Sequence, residues 1–148
     1  MPFLSSMDIS GSALTAQRMR MDVVAENLAN INTTRDANGN PYRRRFVTME
    51  ERQGSFSSTL NQAMNNGYTN PVGNGVRVTS IREDNSPFQL KYDPQHPDAD
   101  EMGYVQMPNV DLATEMVDMM SATRAYEANI TAVNAIKNMA MQALSIGR

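Results

Sequence analysis

The sequence predicts an α+β chain in which long N- and C-terminal helices pair as a coiled coil, with a small antiparallel β module between them. Three observations carry this. Apolar residues recur at helical spacing near both ends. The Pro and Gly residues concentrate in the middle, Pro2 apart. That middle holds short stretches that alternate apolar and polar residues, as strands do.

The first helix is expected from about Ser5 to Ile31. Met7, Leu14, Met21 and Leu28 lie seven apart, with Gly11, Val24, Ala25 and Ile31 at the steps between. A spacing of seven suits a supercoiled pair. Ser5 or Ser6 is the expected cap, with Asp8 favourable in the first turn.

The middle contributes strands at Phe88 to Tyr92, Arg45 to Glu50, Val76 to Ile81 and Tyr104 to Met107. The first reads as half-buried, because Phe88, Leu90 and Tyr92 alternate with Gln89 and Lys91. Gly54 to Gly75 is rich in Ser, Asn and Gly and reads as a mobile loop. Asn38-Gly39-Asn40-Pro41 reads as a turn.

The last helix is expected from Asn109, as cap, to about Ile146, with no Pro or Gly between. Leu112, Met116, Met119, Thr123, Tyr126, Ile130, Val133, Lys137, Ala140 and Leu144 step by four and three, drawing a heptad seam. Met119, Tyr126 and Val133 should then tolerate change less than Glu115, Asp118 or Asn138. Val23, Met19, Val117, Met120, Ile136 and Met139 fall off the seams and call for further neighbours. The expected segments are residues 1–33, 34–108 and 109–148.

Composition narrows the function. A net charge of −3 offers nothing to drive unspecific binding to nucleic acid or anionic lipid. With no Cys, disulfides, zinc–thiolate sites and thiol nucleophiles are excluded. His96 is the only histidine, which rules out His-pair metal sites. Its acidic surroundings, Asp93, Asp98, Asp100 and Glu101, lack the spacing of a calcium loop. No phosphate loop or hydrolase motif is present. No enzyme, cofactor or metal is expected. Thirteen Met suit surfaces that accept several neighbours. Two long apolar helices with so small a middle suggest a subunit that completes its core by oligomerising. The alternative is a soluble coiled-coil adaptor or secretion chaperone.

Two strings then bear a resemblance. A-E-N-L-A-N-I-N-T-T-R, Ala25 to Arg35, is followed by N-P-Y-R-R-R at Asn40 to Arg45. It resembles the motif closing the first helix of flagellar rod, hook and related axial proteins. E-M-V-D-M-M-S-A-T-R-A-Y-E-A-N, Glu115 to Asn129, resembles their carboxy-terminal helix. The insertion T-T-R-D-A-N-G-N-P-Y-R-R-R, the string Y-D-P-Q-H-P-D-A-D and the short length resemble the proximal-rod members.

That resemblance implies a helical tube of subunits in the basal-body rod, in the periplasm, exported through the flagellar secretion apparatus without a cleaved signal. The implied partners are the chain itself, other rod proteins, the rod–ring adaptor and the membrane-ring protein. The expected subunit-facing residues are Met7, Leu14, Met21, Asn27, Leu28, Asn30, Asn32, Arg43, Arg44, Arg45, Leu112, Met116, Met119, Arg124, Tyr126, Ile130 and Val133. Among these, Asn27 and Asn30 share a helix face and can fix register. Asn32 can satisfy carbonyls at the helix end. Arg43, Arg44 and Arg45 can bridge to acids of a neighbour.

Overall fold

The computed structural model describes residues 2–36, 39–52, 60, 64 and 74–146. The elements run α1 (Pro2–Ala29), β1 (Arg45–Glu51), β2 (Val76–Glu83), β3 (Gln89–Tyr92), β4 (Tyr104–Met107) and α2 (Leu112–Ile146). The expected α+β class stands: two long terminal helices flank two small two-stranded sheets. The Gly54 to Gly75 loop lies almost wholly outside the described residues.

Helix α1 begins three residues before the expected serine cap. Proline is suited to a first helical turn, where its missing N–H has no intrahelical partner to lose, so Pro2 starts the helix. Ser5 and Ser6 sit inside it.

Helix α2 also begins elsewhere than expected. Its cap is Asp111, whose carboxylate accepts the Thr114 backbone N–H at 3.1 Å and the Thr114 hydroxyl at 2.6 Å. Asn109 is instead committed to the preceding chain, accepting the Arg44 N–H at 2.8 Å and donating to the Asp84 carbonyl at 3.1 Å. The Thr114 hydroxyl and N–H hold the Asp111 carboxyl below its ordinary range, since both favour the charged form. A depressed carboxyl stabilises the fold above its unfolded value and stops doing so as pH falls through the folded one. Asp111→Ala is therefore expected to lower the melting midpoint at neutral pH. The gap from the parent should close on acidification below about pH 4; melts across that range check it.

Two compact units are present. One comprises Met1–Arg18, Met49–Thr79 and Arg124–Arg148; the other comprises Met19–Thr48 and Ser80–Thr123. In the first, Gly75 has φ +91 and lies against α1 so closely that a Cβ there would collide with the Ser12 side chain. Ser12 uses the approach: its hydroxyl accepts the Val76 N–H at 3.0 Å and donates to the Ile9 carbonyl at 2.7 Å. Arg52 N–H donates to the Gly75 carbonyl at 2.8 Å, tying β1 to β2.

In the second unit, α1 and α2 run antiparallel. Met21 meets Thr123, Arg20 meets Asp118, and Asn27 meets Glu115, so ascending one helix descends the other. Val24 and Ala122 are buried here, and so is Val23, which needs no outside neighbour after all. The small Ala122 suits a close approach of backbones.

Strands β3 and β4 are antiparallel, pairing Leu90 with Gln106, Lys91 with Val105 and Tyr92 with Tyr104. Contrary to expectation, β3 is exposed along its whole length. The buried residue comes from β4: Val105 is 1% exposed, on the face shared with Lys91. Leu90 and Tyr92 face outward, Tyr92 resting edge-to-face on Tyr104 at 5.2 Å. Phe88 precedes the strand. Gly103, at φ +79, closes the acidic loop, accepting from Asp93 N–H and donating to Asp100.

Candidate functional site

The second unit holds a polar cluster where α1, the segment entering β1, and α2 meet. Asn27 and Glu115 are both 0% exposed. A buried amide is tolerable only if its donors and acceptor are matched, and Asn27 achieves this. Its Nδ2 donates to the Arg45 carbonyl at 2.8 Å and to Glu115 Oε2 at 3.0 Å. Its Oδ1 accepts the Arg45 N–H at 2.9 Å and the Tyr42 hydroxyl at 3.0 Å.

Glu115 Oε1 accepts from Arg44 Nε at 2.5 Å. Arg44 continues to Asp118 at 3.3 Å and Asp84 at 3.9 Å, and Arg20 reaches the other Asp118 oxygen at 2.8 Å. Burial alone would weaken the Arg44 proton. The hydrogen bond and charge of Glu115, helped by Asp118 and Asp84, outweigh burial and raise its pKa. Burial, with Glu26, pushes the Tyr42 phenol up to about 12, so it stays a donor to Asn27 through neutral pH.

Several expected roles change accordingly. Asn27, expected to face a neighbouring subunit, makes its bonds inside the chain, joining α1 to α2 through Glu115. Asn30 bonds its own helix, donating to the Glu26 carbonyl at 2.9 Å and accepting from the Thr33 hydroxyl at 3.1 Å. It therefore closes the helix, the task expected of Asn32, which is exposed in the turn. Arg44 and Arg45 bridge to acids of this chain, Arg45 to Glu26 at 3.0 Å and Glu83 at 3.8 Å. Glu115 and Asp118, expected to be tolerant surface positions, are, with Asp84, carboxylates of the cluster. The missed signal was Asn27 and Glu115 together. An amide and a carboxylate on two apolar helices, each at a heptad-compatible position, are paired polar core candidates.

The face that α2 buries within this unit centres on Glu115 and Ala122, not on the seam drawn through Leu112 and Met116. Met119 and Thr123 lie at its margin. Leu112, Met116, Val117 and Met120 are 49%, 51%, 60% and 51% exposed. At 100° per residue Met116, Val117 and Met120 turn away from Glu115 and Ala122, and Leu112 extends this exposed row at its edge. In the other unit Tyr126 and Val133 are half-buried, whereas Ile130 is exposed. Arg124 is exposed and makes no ion pair among the described residues. Met7, Leu14, Met21 and Leu28 of α1 are half-buried.

The acidic loop is engaged internally. Asp98 accepts from the Thr34 hydroxyl at 2.8 Å and Arg35 at 3.5 Å, and His96 Nδ1 accepts the Asp98 N–H at 3.1 Å. Among the described residues no group of three His, Asp or Glu side chains is arranged to hold a metal ion.

A cluster that locks one subunit and a stripe that leaves apolar surface outside suit an assembling protein, and the comparisons agree. Residues 7–35 match the family model described as flagella basal body rod protein. Residues 101–146 match the C-terminal model of flagellar basal body rod FlgEFG proteins. The flagellar basal-body rod protein FlgC of Bacillus subtilis is 57% identical over 147 residues, 97% of each chain. That of Borreliella burgdorferi is 46% identical, covering 99% of this chain and 98% of its own. That of Escherichia coli O157:H7 is 39% identical over the whole of both. The chain therefore belongs to the FlgC family of flagellar basal-body rod proteins and is a structural rod subunit, not an enzyme.

Proposed function

We propose that this subunit builds the rod by burying the outward stripe Leu112, Met116, Val117 and Met120 against neighbouring chains. The exposed stripe itself carries the reading, because a contiguous apolar surface on a helix marks an interaction site. Ile130, Asn32 and Arg124, exposed as well, and the half-buried Met7, Leu14, Met21, Leu28, Met119, Tyr126 and Val133 are the further residues for subunit contact in this reading. In this reading residues 1–33 and 109–148 form the axial part, supercoiled as a pair, and residues 34–108 the outer module.

The neighbours are copies of this chain, other rod proteins, the rod–ring adaptor and the membrane-ring protein. The chain reaches the periplasm through the flagellar export apparatus without cleavage. No nucleic acid or lipid takes part, in keeping with a net charge of −3.

Intact mass and cross-linking of this chain in isolated basal bodies test the proposal. The expected mass includes the first turn of α1, and the expected cross-links join α2 to rod or ring components. A shortened N-terminus would remove the uncleaved route. Cross-links confined to soluble export factors would favour the chaperone alternative.

A further inference from the structure

Arg43, Arg44 and Arg45 are consecutive, yet their charges are spent differently. Arg44 and Arg45 each reach carboxylates of this chain. Arg43 makes no ion pair among the described residues. It is nonetheless held in place. Its guanidinium lies 4.5 Å from the centre of the Phe88 ring, and Nη1 donates to the Asp84 carbonyl at 3.3 Å. A guanidinium has five N–H donors in one plane, so stacking and a single hydrogen bond fix the fork and leave most of it free.

The fork lines a cleft of about 310 Å³ with Asp36, Asn40, Pro41, Tyr42 and Glu83. Arg43 and Arg45 share that lining with Asp36 and Glu83, Glu83 is taken by Arg45, and just outside the lining the Asp84 carboxylate feels the Arg43 charge without an ion-pair contact. The formal charges balance, so a ligand gains little from long-range attraction. Recognition must come from short-range geometry, for which a rigid planar fork fits a carboxylate in two parallel hydrogen bonds. Phe88 gives its face to Arg43 and offers no platform for a nucleic-acid base.

We infer that Arg43 is a docking residue for an Asp or Glu side chain of a neighbouring rod subunit, an inference that rests on the rod reading above. Of the three arginines it alone carries the intersubunit bridge. Because Lys is a point charge without the fork, it should not replace Arg here.

The test uses the full chain in cells lacking the native copy, with Arg43→Ala, Arg43→Lys and Arg43→Cys. The last supplies the only cysteine in the chain and can carry a photoreactive probe. The purified variants should melt close to the parent. Incorporation into basal bodies should fall about tenfold or more for both Ala and Lys, the factor a loss of one charge-assisted pair gives. The probe should capture a rod-subunit peptide at or beside an Asp or Glu. Normal incorporation of Arg43→Ala, rescue by Arg43→Lys, or capture of only the chain's own 84–88 segment would overturn the inference. In each of these cases the rod reading survives, provided that the parent is found in basal bodies. A parent absent from basal bodies would overturn both.

Discussion

Asn27→Leu should destabilise the isolated chain by about 3–5 kcal/mol, the range seen when a buried polar network loses a member. Leucine fills similar volume, so the loss is one of hydrogen bonding. Four bonds vanish together, to the Arg45 carbonyl, the Arg45 N–H, the Tyr42 hydroxyl and Glu115. Glu115 keeps Arg44 but, at 0% exposure, is closed to the solvent that could replace the amide. Since a domain's whole stability is about 5–15 kcal/mol, this single change takes a large share. Glu115→Ala should be comparably severe, because it removes the acid that pairs with the half-buried Arg44 and accepts from the buried Asn27 amide. Asn30→Leu, on a half-exposed helix end, should cost well under half as much. Urea melts of the three variants check the order, and an Asn27→Leu chain as stable as the parent would remove the cluster's claimed role.

The second large effect lies in assembly rather than folding. Met120→Glu and Met116→Glu alter side chains already half in water, so the free chain should stay within about 0.5 kcal/mol of the parent. In the rod the same residues are expected to be buried. Each then forfeits about 1.5–3 kcal/mol of apolar burial and adds a charge to a dry contact. A helical array repeats that penalty at every subunit. Soluble, normally melting protein that fails to enter rods is the expected result, read by motility and by the content of isolated basal bodies. Rods formed normally by Met120→Glu would place the stripe at solvent.

The two helices were legible because their patterns are long and uninterrupted, and all four strand positions could be read from alternation and turn residues. What the pattern concealed was the phase of packing. Counting apolar residues along α2 puts Leu112 and Met116 on the buried side, since methionine reads as core. The chain instead packs its smallest and most polar positions, Ala122 and Glu115, against α1. A glutamate in the first turn of a helix looks like a surface residue placed for the helix dipole. Only its partners, Asn27 eighty-eight residues away and Arg44, make burial affordable. The same long-range pairing explains why three adjacent arginines could not be told apart in sequence. One is absorbed by the cluster, one by flanking acids, and one stacks on Phe88. Strand β3 misled for a local reason: alternation shows which residues share a face, not whether anything covers it.

Electron cryomicroscopy of the assembled rod, at a resolution that places side chains, tests the central claim most directly. The expected density shows Asn27, Glu115 and Arg44 bonded within one subunit, as here, and the Leu112, Met116, Val117 and Met120 stripe packed against a different chain. A stripe facing water, or a cluster whose partners come from two subunits, would contradict the account.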